Sequence, residues 1–201
     1  MKARPLILVS NDDGVHAPGV HALREALLPF ADVVVVAPEH EQSGTSHSIS
    51  LHAPLRHKRH DEGIHSIAGT PADCIYVALY LEKLLPRWPD LVASGINAGA
   101  NLGDDVFYSG TVAAAREAAL RGIHAIAFSL LPGGDLAVAQ GLARTMCQRL
   151  LETPKPEGQP VLLSVNVPAG EPKGVRAARL GRRLYSEGVD VRRDPRGGDY
   201  Y

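Results

Sequence analysis

Residues 6–14 read LILVSNDDG, a short apolar run that ends in a polar turn. A strand in the middle of a parallel sheet has such a continuous apolar pattern, because both of its faces are covered. A second run, VVVVA, occupies residues 33–37. Between the two, apolar residues recur at helical spacing over residues 20–28 behind Pro18, which is tolerated in the first turn of a helix. The pattern therefore predicts a strand, a helix and a parallel strand.

The same alternation continues along most of the chain. Further runs typical of strands lie at residues 91–93, 124–128 and 161–165, and helical patterns lie at residues 72–85, 111–121 and 136–152. Residues 51–67 interrupt the alternation and predict an antiparallel hairpin. Because each helical crossover returns the chain to the same end of the sheet, we predict an α/β fold. It is a three-layer, doubly wound, Rossmann-like and mostly parallel sheet with an inserted hairpin.

Composition and charge exclude several classes of function. The chain has 201 residues, with 21 Lys plus Arg against 22 Asp plus Glu and a formal net charge of -1. This balance argues against nucleic acid as the main partner. The two cysteines lie far apart, and the first apolar run is too short for a signal peptide or a membrane span. We expect one domain over residues 1–201, a cytoplasmic location, and no membrane partner.

Two adjacent carboxylates follow the first predicted strand. In an open parallel sheet, ligands bind beyond the carboxyl ends of the strands, which is where Asp12 and Asp13 lie. A single Asp there would serve as a helix cap. Two packed together repel one another, so a cation is expected between them, and hard oxygen ligands suit Mg²⁺ or Mn²⁺.

A polar loop follows the second predicted strand. Residues 39–48 show neither a helical nor a strand pattern, and long loops at strand ends often carry function. Within the loop, Ser43 beside Gly44 offers a hydroxyl to a metal or to a phosphate. The alternative is a solvated surface loop.

Residues 94–115 hold the third set of candidates. The spacing of Gly95, Gly99 and Gly103 at every fourth position matches neither GxGxxG nor GxxxxGK[ST] and disfavours a dinucleotide-dependent oxidoreductase or a Walker-type site. Asn97 offers an amide oxygen to a metal. Ser109, Gly110 and Thr111 open an Ala-rich helix, whose free N–H groups favour an anion. Ser109 fits a plain capping role equally well.

Other polar residues have simpler interpretations. Thr70 is expected to cap the next helix, and residues 104–105, two aspartates, are expected to form a solvated turn. The nine histidines make no HExxH motif, so no zinc site is expected. His40 or His47 could donate a proton.

Five motifs occur in an order that resembles SurE, the survival protein E family of 5'-nucleotidases. They are SNDDG at 10–14, QSG at 42–44, GTPADC at 69–74, SGINAGANLG at 94–103 and YSGTVAAA at 108–115. The resemblance implies a metal-dependent phosphohydrolase that acts on nucleoside 5'-monophosphates, and also on 3'-nucleotides and short polyphosphate. It further implies a homodimer or a homotetramer. Members of the family usually continue beyond the DPRG segment at 194–197, so we expect the family's C-terminal part to be missing after residue 201.

The resemblance also implies roles for particular residues. One divalent cation per subunit, Mg²⁺ or Mn²⁺, would be held by Asp12, Asp13, Ser43 and Asn97, with Asp12 and Asp13 also catalytic. The residues predicted to bind substrate or its phosphate are Asn11, Gly44, Asn101, Ser109, Gly110 and Thr111.

The expected reaction is in-line attack on the phosphate by a metal-activated water. A covalent aspartyl-phosphate mechanism is disfavoured, because such enzymes use Asp-x-Asp spacing and the carboxylates here are adjacent. From another class, a stress module that binds nucleotide without turning it over stays an alternative. Nucleotide would stabilise such a module without release of phosphate.

Overall fold

The computed structural model describes residues 4–182, 185 and 188–201. Its strands are β1 (Leu6–Ser10), β2 (Asp32–Pro38), β3 (His57–Asp61), β4 (Ile64–Ile67), β5 (Leu91–Ala98), β6 (His124–Leu130), β7 (Leu162–Val167), β8 (Arg192–Arg193) and β9 (Asp199–Tyr200). Its α-helices are α1 (Pro18–Leu27), α2 (Pro71–Tyr80), α3 (Gly110–Leu120) and α4 (Leu136–Glu152). Short 3-10 helices cover Gly103–Phe107 and Pro156–Gly158.

Seven strands form one sheet in the order β3-β4-β2-β1-β5-β6-β7. All neighbouring strands in it are parallel except β3 and β4, which form the predicted antiparallel hairpin at one edge. The chain leaves β1 toward β2 on one side and later returns to β5 on the other. The strand order therefore reverses at β1, and the predicted doubly wound α/β fold is confirmed.

The helices cover both faces of the sheet. Alternate β1 residues Ile7 and Val9 pack in one core, beneath α1 and α4, whereas Leu6 and Leu8 pack in the other, beneath α2 and α3. Both sets are fully buried, which explains why the strand is apolar at every position rather than at alternate ones.

Helix α2 begins as predicted but ends early. Thr70 caps it by accepting a hydrogen bond from the N–H of Asp73, whose carboxylate accepts the N–H of Thr70 in return. The helix ends at Tyr80 rather than at residue 85, because Leu81 is extended (φ -78°, ψ 113°) and Lys83 has a φ of 68°. The apolar spacing continued past this end because Leu84 is still buried in the core beneath α2.

Strand β5 is longer than the sequence predicted. The apolar run ends at residue 93, but the strand continues to Ala98, because it pairs with β6 again at Asn97 after a break in register from Ser94. Asn97 is thus held by the sheet rather than by a free loop. Close approach of α1 to this irregular segment requires Gly19, since a Cβ there would lie 2.0 Å from the carbonyl oxygen of Ile96.

The segment after β7 could not be assigned from the sequence. In its described part, β8 and β9 pair as a short antiparallel ribbon. None of the helices in the described ranges combines the length and the apolar character that crossing a membrane requires.

Candidate active site

The carboxyl ends of β1 and β5 open onto a cavity where the strand order reverses. Its volume is about 510 Å³. The polar residues that line it are Asp12, Asp13, Glu41, Ser43, Asn97, Asn101, Asp105, Tyr108 and Ser109, and Gly44 contributes backbone. The cavity therefore brings together seven site residues that were predicted from the sequence and that come from three separate segments. They are Asp12, Asp13, Ser43, Gly44, Asn97, Asn101 and Ser109. Such reversal points are where open α/β sheets bind ligands.

Asp12 is the buried carboxylate of this cavity. It is 5% exposed, and Oδ1 accepts a hydrogen bond from the hydroxyl of Thr111. Burial raises the pKa of Asp12, and the negative charge of Asp13 raises it further, while the hydrogen bonds from Thr111 act in the opposite direction. An ionised Asp12 thus needs positive charge nearby.

Asp13 is half-buried and extends the negative charge toward Glu41. Burial is the largest cause that raises the pKa of Asp13, and the charge of Glu41 adds to it, although a backbone hydrogen bond from Ala98 lowers it. Four carboxylates line this cavity, since Asp105 joins Asp12, Asp13 and Glu41, and they make the site electrostatically suited to a cation rather than to an isolated anion.

The N-terminal turn of α3 lies directly against Asp12. A Cβ on Gly110 would lie 2.7 Å from the Cβ of Asp12 and 3.0 Å from its Oδ2, so only glycine allows this approach. Ser109 caps the helix by accepting a hydrogen bond of 3.1 Å from the N–H of Val112, which confirms the capping interpretation. The positive end of the helix dipole therefore faces this edge of the sheet.

Thr111 directs two hydrogen-bond donors at Asp12. Its hydroxyl and its backbone N–H donate to the carboxylate. Among the described residues, the N–H of Val112 is taken by Ser109 and that of Thr111 by Asp12, which leaves the N–H of Gly110 as the remaining donor of the first turn. The phosphate-binding roles of these residues stay predictions.

The loop after β2 forms another wall of the cavity and contains neither helix nor strand, as predicted. It is tied to the turn after β1 by the N–H of Gln42, which donates to the carbonyl of Asp12 at 2.7 Å. The hydroxyl of Ser43 donates to Oε1 of Glu41 at 2.8 Å, and Gly44 has a φ of 72°, a conformation that favours glycine.

Two asparagines form the wall on the β5 side. Nδ2 of Asn97 donates to the carbonyl of Gly99 at 2.8 Å, which leaves Oδ1 as the atom able to bind a cation. Asn101 is buried, and its Nδ2 donates to the hydroxyl of Ser129 at 2.8 Å. The backbone of Asn101 makes two reciprocal 2.9 Å hydrogen bonds with the side chain of Asn166.

Asn11 lies behind the cavity rather than on its wall. It is fully buried, and Nδ2 donates to the carbonyl of Gly14 at 2.9 Å. Within the described ranges, Oδ1 of Asn11 has no partner. Its direct contact with the turn after β1 makes it a support for that turn, and its predicted contact with substrate stays a prediction.

The structure adds residues that the sequence analysis missed. Asp105 was expected in a solvated turn, but it lies in the 3-10 helix, is half-buried, lines the cavity and accepts a 2.7 Å hydrogen bond from the hydroxyl of Tyr185. Glu41 and Tyr108 also line the cavity. Their position in the sequence, next to or within the motifs at 42–44 and 108–115, was the signal that could have identified them. His40 and His47 do not belong to the lining set.

The donor atoms fit a hard divalent cation. In residues 4–182, 185 and 188–201, no group of three His, Cys, Asp or Glu side chains is placed to hold a metal ion. A cation in the cavity would therefore depend on the hydroxyl of Ser43 and the amide oxygen of Asn97 as well as on Asp12 and Asp13. This all-oxygen set suits Mg²⁺ or Mn²⁺ and disfavours soft metals.

Fold and site together define a doubly wound α/β protein with an acidic ligand cavity at its switch point. Within that class, the chain belongs to the SurE family, whose model, Survival protein SurE, matches residues 7–187.

Other proteins are similar to this chain in sequence and in structure. A protein of Sorangium cellulosum named 5'-nucleotidase SurE is 55% identical over 200 residues, which cover 98% of this chain and 78% of the relative. One of the same name from Vibrio cholerae is 46% identical over 204 residues, covering 100% of this chain and 76% of the relative. The crystal structure of the SurE protein from Aquifex aeolicus superposes with a TM-score of 0.84 at 40% identity, covering 98% of this chain and 81% of that one.

Proposed function

We propose that the protein is a divalent-metal-dependent phosphomonoesterase that hydrolyses nucleoside 5'-monophosphates. The observation that carries the proposal is that Asp12 and Asp13 line one cavity together with Ser109, the residue that caps α3. Adjacent carboxylates suit a cation, and a helix N-terminus suits a phosphate. The name of the similar proteins, 5'-nucleotidase, supports a nucleotide as the carrier of that phosphate.

The metal in this proposal is one Mg²⁺ or Mn²⁺ per subunit. Asp12, Asp13, Ser43 and Asn97 would hold it, because all four line the cavity and each has a side-chain oxygen that can bind a hard cation. When bound, such an ion polarises a phosphate oxygen and makes a water molecule more acidic.

The chain's own groups then bind and orient the reactants. The N–H of Gly110 donates to the phosphate, and one well-placed donor of this kind stabilises a transition state by about 3 kcal/mol. Thr111 holds the Asp12 carboxylate in one orientation. The Asp12–Asp13 pair accepts the proton of the attacking water. The bond between phosphorus and the nucleoside oxygen breaks, and that oxygen leaves as a hydroxyl after it takes a proton from solvent.

The proposal extends to nucleoside 3'-monophosphates and to short polyphosphate. The donors named above contact the phosphate rather than the base or the sugar, and the cavity of about 510 Å³ is large enough for a nucleotide held in different orientations. We also propose that the protein assembles as a homodimer or a homotetramer.

The test is phosphate release from a panel of nucleoside 5'- and 3'-monophosphates and tripolyphosphate, with wild type, Asp12→Asn and Asp13→Asn. The control is Asp90→Asn, because Asp90 pairs with Arg87 away from the cavity. Loss of release in the two cavity variants and retention in the control would support the proposal. Full activity in both cavity variants would overturn the site. Thermal stabilisation by nucleotide without any release would favour the binding module instead.

A further inference from the structure

The loop that carries Ser43 into the cavity is held by contacts with neighbouring segments, since it contains no helix or strand. Before Ser43, the backbone hydrogen bond from Gln42 to Asp12 fixes the loop to the turn after β1. What holds the loop beyond Gly44 determines where the Ser43 hydroxyl can lie.

Beyond Gly44, the loop is attached to the segment that leads into α3 and to α3 itself. The N–H of Ser46 donates to the carbonyl of Tyr108 at 3.0 Å, and its hydroxyl donates to the carbonyl of Phe107 at 2.7 Å. In the next residue, Nε2 of His47 donates to Oε2 of Glu117 at 2.9 Å. Of these three contacts, the one between His47 and Glu117 joins two ionisable side chains.

Glu117 is a buried carboxylate whose two oxygens have separate partners. Its side chain is 4% exposed, and Oε1 accepts from Nη2 of Arg121 at 2.7 Å while Oε2 accepts from His47. The carboxylate cannot turn without losing one of these hydrogen bonds. Buried hydrogen bonds to charged groups are stronger than exposed ones, so this contact restrains His47 more firmly than a surface pair would.

Helix α3 thus makes two connections to the cavity. Its first turn holds Asp12 through Thr111, and about two turns later it holds the Ser43 loop through Glu117. A rigid helix with both connections fixes the distance between the loop and the turn after β1.

We propose that Glu117, acting through His47, is a positioning residue that keeps the Ser43 loop in place against the cavity. Neither residue contacts the substrate in this proposal. The effect on catalysis rests on the proposed function, whereas the effect on the order of the loop does not.

The experiment compares Glu117→Gln, His47→Asn and the double variant with the control Asp90→Asn, which loses an ion pair at a distance from the loop. Amide hydrogen exchange over residues 42–48 is measured in the full chain without metal or substrate. We expect exchange to be about 10-fold faster than in the wild type in each single variant. The double variant should exchange no faster than the single variants, because both substitutions remove the same contact. The control should exchange over residues 42–48 like the wild type.

Kinetics with AMP provide the second readout. We expect KM to rise by about 10-fold in the Glu117 and His47 variants, with kcat within about 2-fold of wild type, because saturating substrate restores the loop. Exchange over residues 42–48 equal to that of Asp90→Asn would overturn the proposal, and so would additive effects in the double variant. If the wild type releases no phosphate, the proposed function fails, but the exchange measurement still decides whether Glu117 and His47 hold the loop in place. If Glu117→Gln does not fold, His47→Asn, altered in the loop, decides alone.

Discussion

Thr111 donates a hydrogen bond through its hydroxyl to Oδ1 of Asp12, although the two residues are 99 positions apart in the chain. The bond joins the turn after β1 to the first turn of α3. It fixes the orientation of a carboxylate that burial would otherwise leave poorly solvated.

Replacing Thr111 by Val removes this donor while keeping the shape of the side chain. A buried hydrogen bond to a charged group is worth about 1.5–3 kcal/mol, so kcat/KM should fall roughly 10- to 100-fold. Thr111→Ser, which keeps the hydroxyl, should retain most of the activity. Equal activity of Thr111→Val and wild type would show that Asp12 does not depend on this bond.

A methyl group at residue 110 should disrupt the contact between α3 and Asp12. In Gly110→Ala the new Cβ would meet the Cβ of Asp12 at 2.7 Å, and such overpacking costs about 1–3 kcal/mol. Activity and melting temperature should both fall.

The matched control is Gly141→Ala, in the interior of α4, where a Cβ would meet no atom of the described residues within 4 Å. Since Ala favours a helix over Gly by about 0.5–1 kcal/mol, this variant should be slightly more stable and fully active. Thermal unfolding and phosphate release would be measured for each variant and for the wild type. A harmless Gly110→Ala would contradict the close approach.

Asp12→Asn should separate stability from function. Burial and the Asp13 charge raise the pKa of Asp12, so the ionised carboxylate destabilises the fold above the pKa of the unfolded chain. With chelator near neutral pH, removing that charge should raise the melting temperature by roughly 2–4 °C, the shift that about 1 kcal/mol produces in a chain of this size. Calorimetry would measure it. A lower melting temperature than wild type would mean that Asp12 is stabilising even without a cation.

The stability that Asp90 contributes should disappear in acid. Although its partial burial acts to raise the pKa of Asp90, hydrogen bonds from Arg87 and from the N–H of Leu6 outweigh it and lower the pKa below the usual 3.8. The contribution is therefore present above the unfolded pKa and is lost as the pH falls through the folded one. Because the side chain is nearly half exposed, Asp90→Asn should cost about 1 kcal/mol or less near neutral pH.

Urea unfolding of wild type and Asp90→Asn, near neutral pH and near pH 3, measures this difference. The gap between the free energies of unfolding of the two proteins should narrow in acid. A gap that is unchanged or wider in acid would contradict the assignment.

The fold could be predicted because its signals are local. The apolar runs of β1 and β2 and the helical spacing between them lie within residues 6–37, and each pattern reflects burial on its own element. The predicted end of α2 was wrong because Leu84 is buried and continues the apolar spacing, although the backbone has already left the helix. Periodicity reports which side chains are buried rather than where hydrogen bonds stop.

The candidate site could be predicted only in part. Asp12 and Asp13 were recognisable as adjacent charges at a strand end, and the cavity does gather them with Ser43 and Asn97. The contacts between Thr111 and Asp12, or between Asn166 and Asn101, join residues far apart in the chain and leave no local pattern. Asp105 was misjudged for the same reason, since what makes it part of the cavity is the distant segments that pack around it.

The most direct test of the account is a titration of chelator-treated protein with Mn²⁺, in which bound Mn²⁺ is followed by electron paramagnetic resonance and phosphate release from AMP is followed in the same samples. We expect release to be absent at first and to rise in step with the binding of one Mn²⁺ per chain, and we expect Asp13→Asn neither to bind Mn²⁺ tightly nor to release phosphate. Full release in the presence of chelator, or an Asp13→Asn variant that binds and hydrolyses like the wild type, would contradict the assignment of a metal-dependent phosphatase site to this cavity.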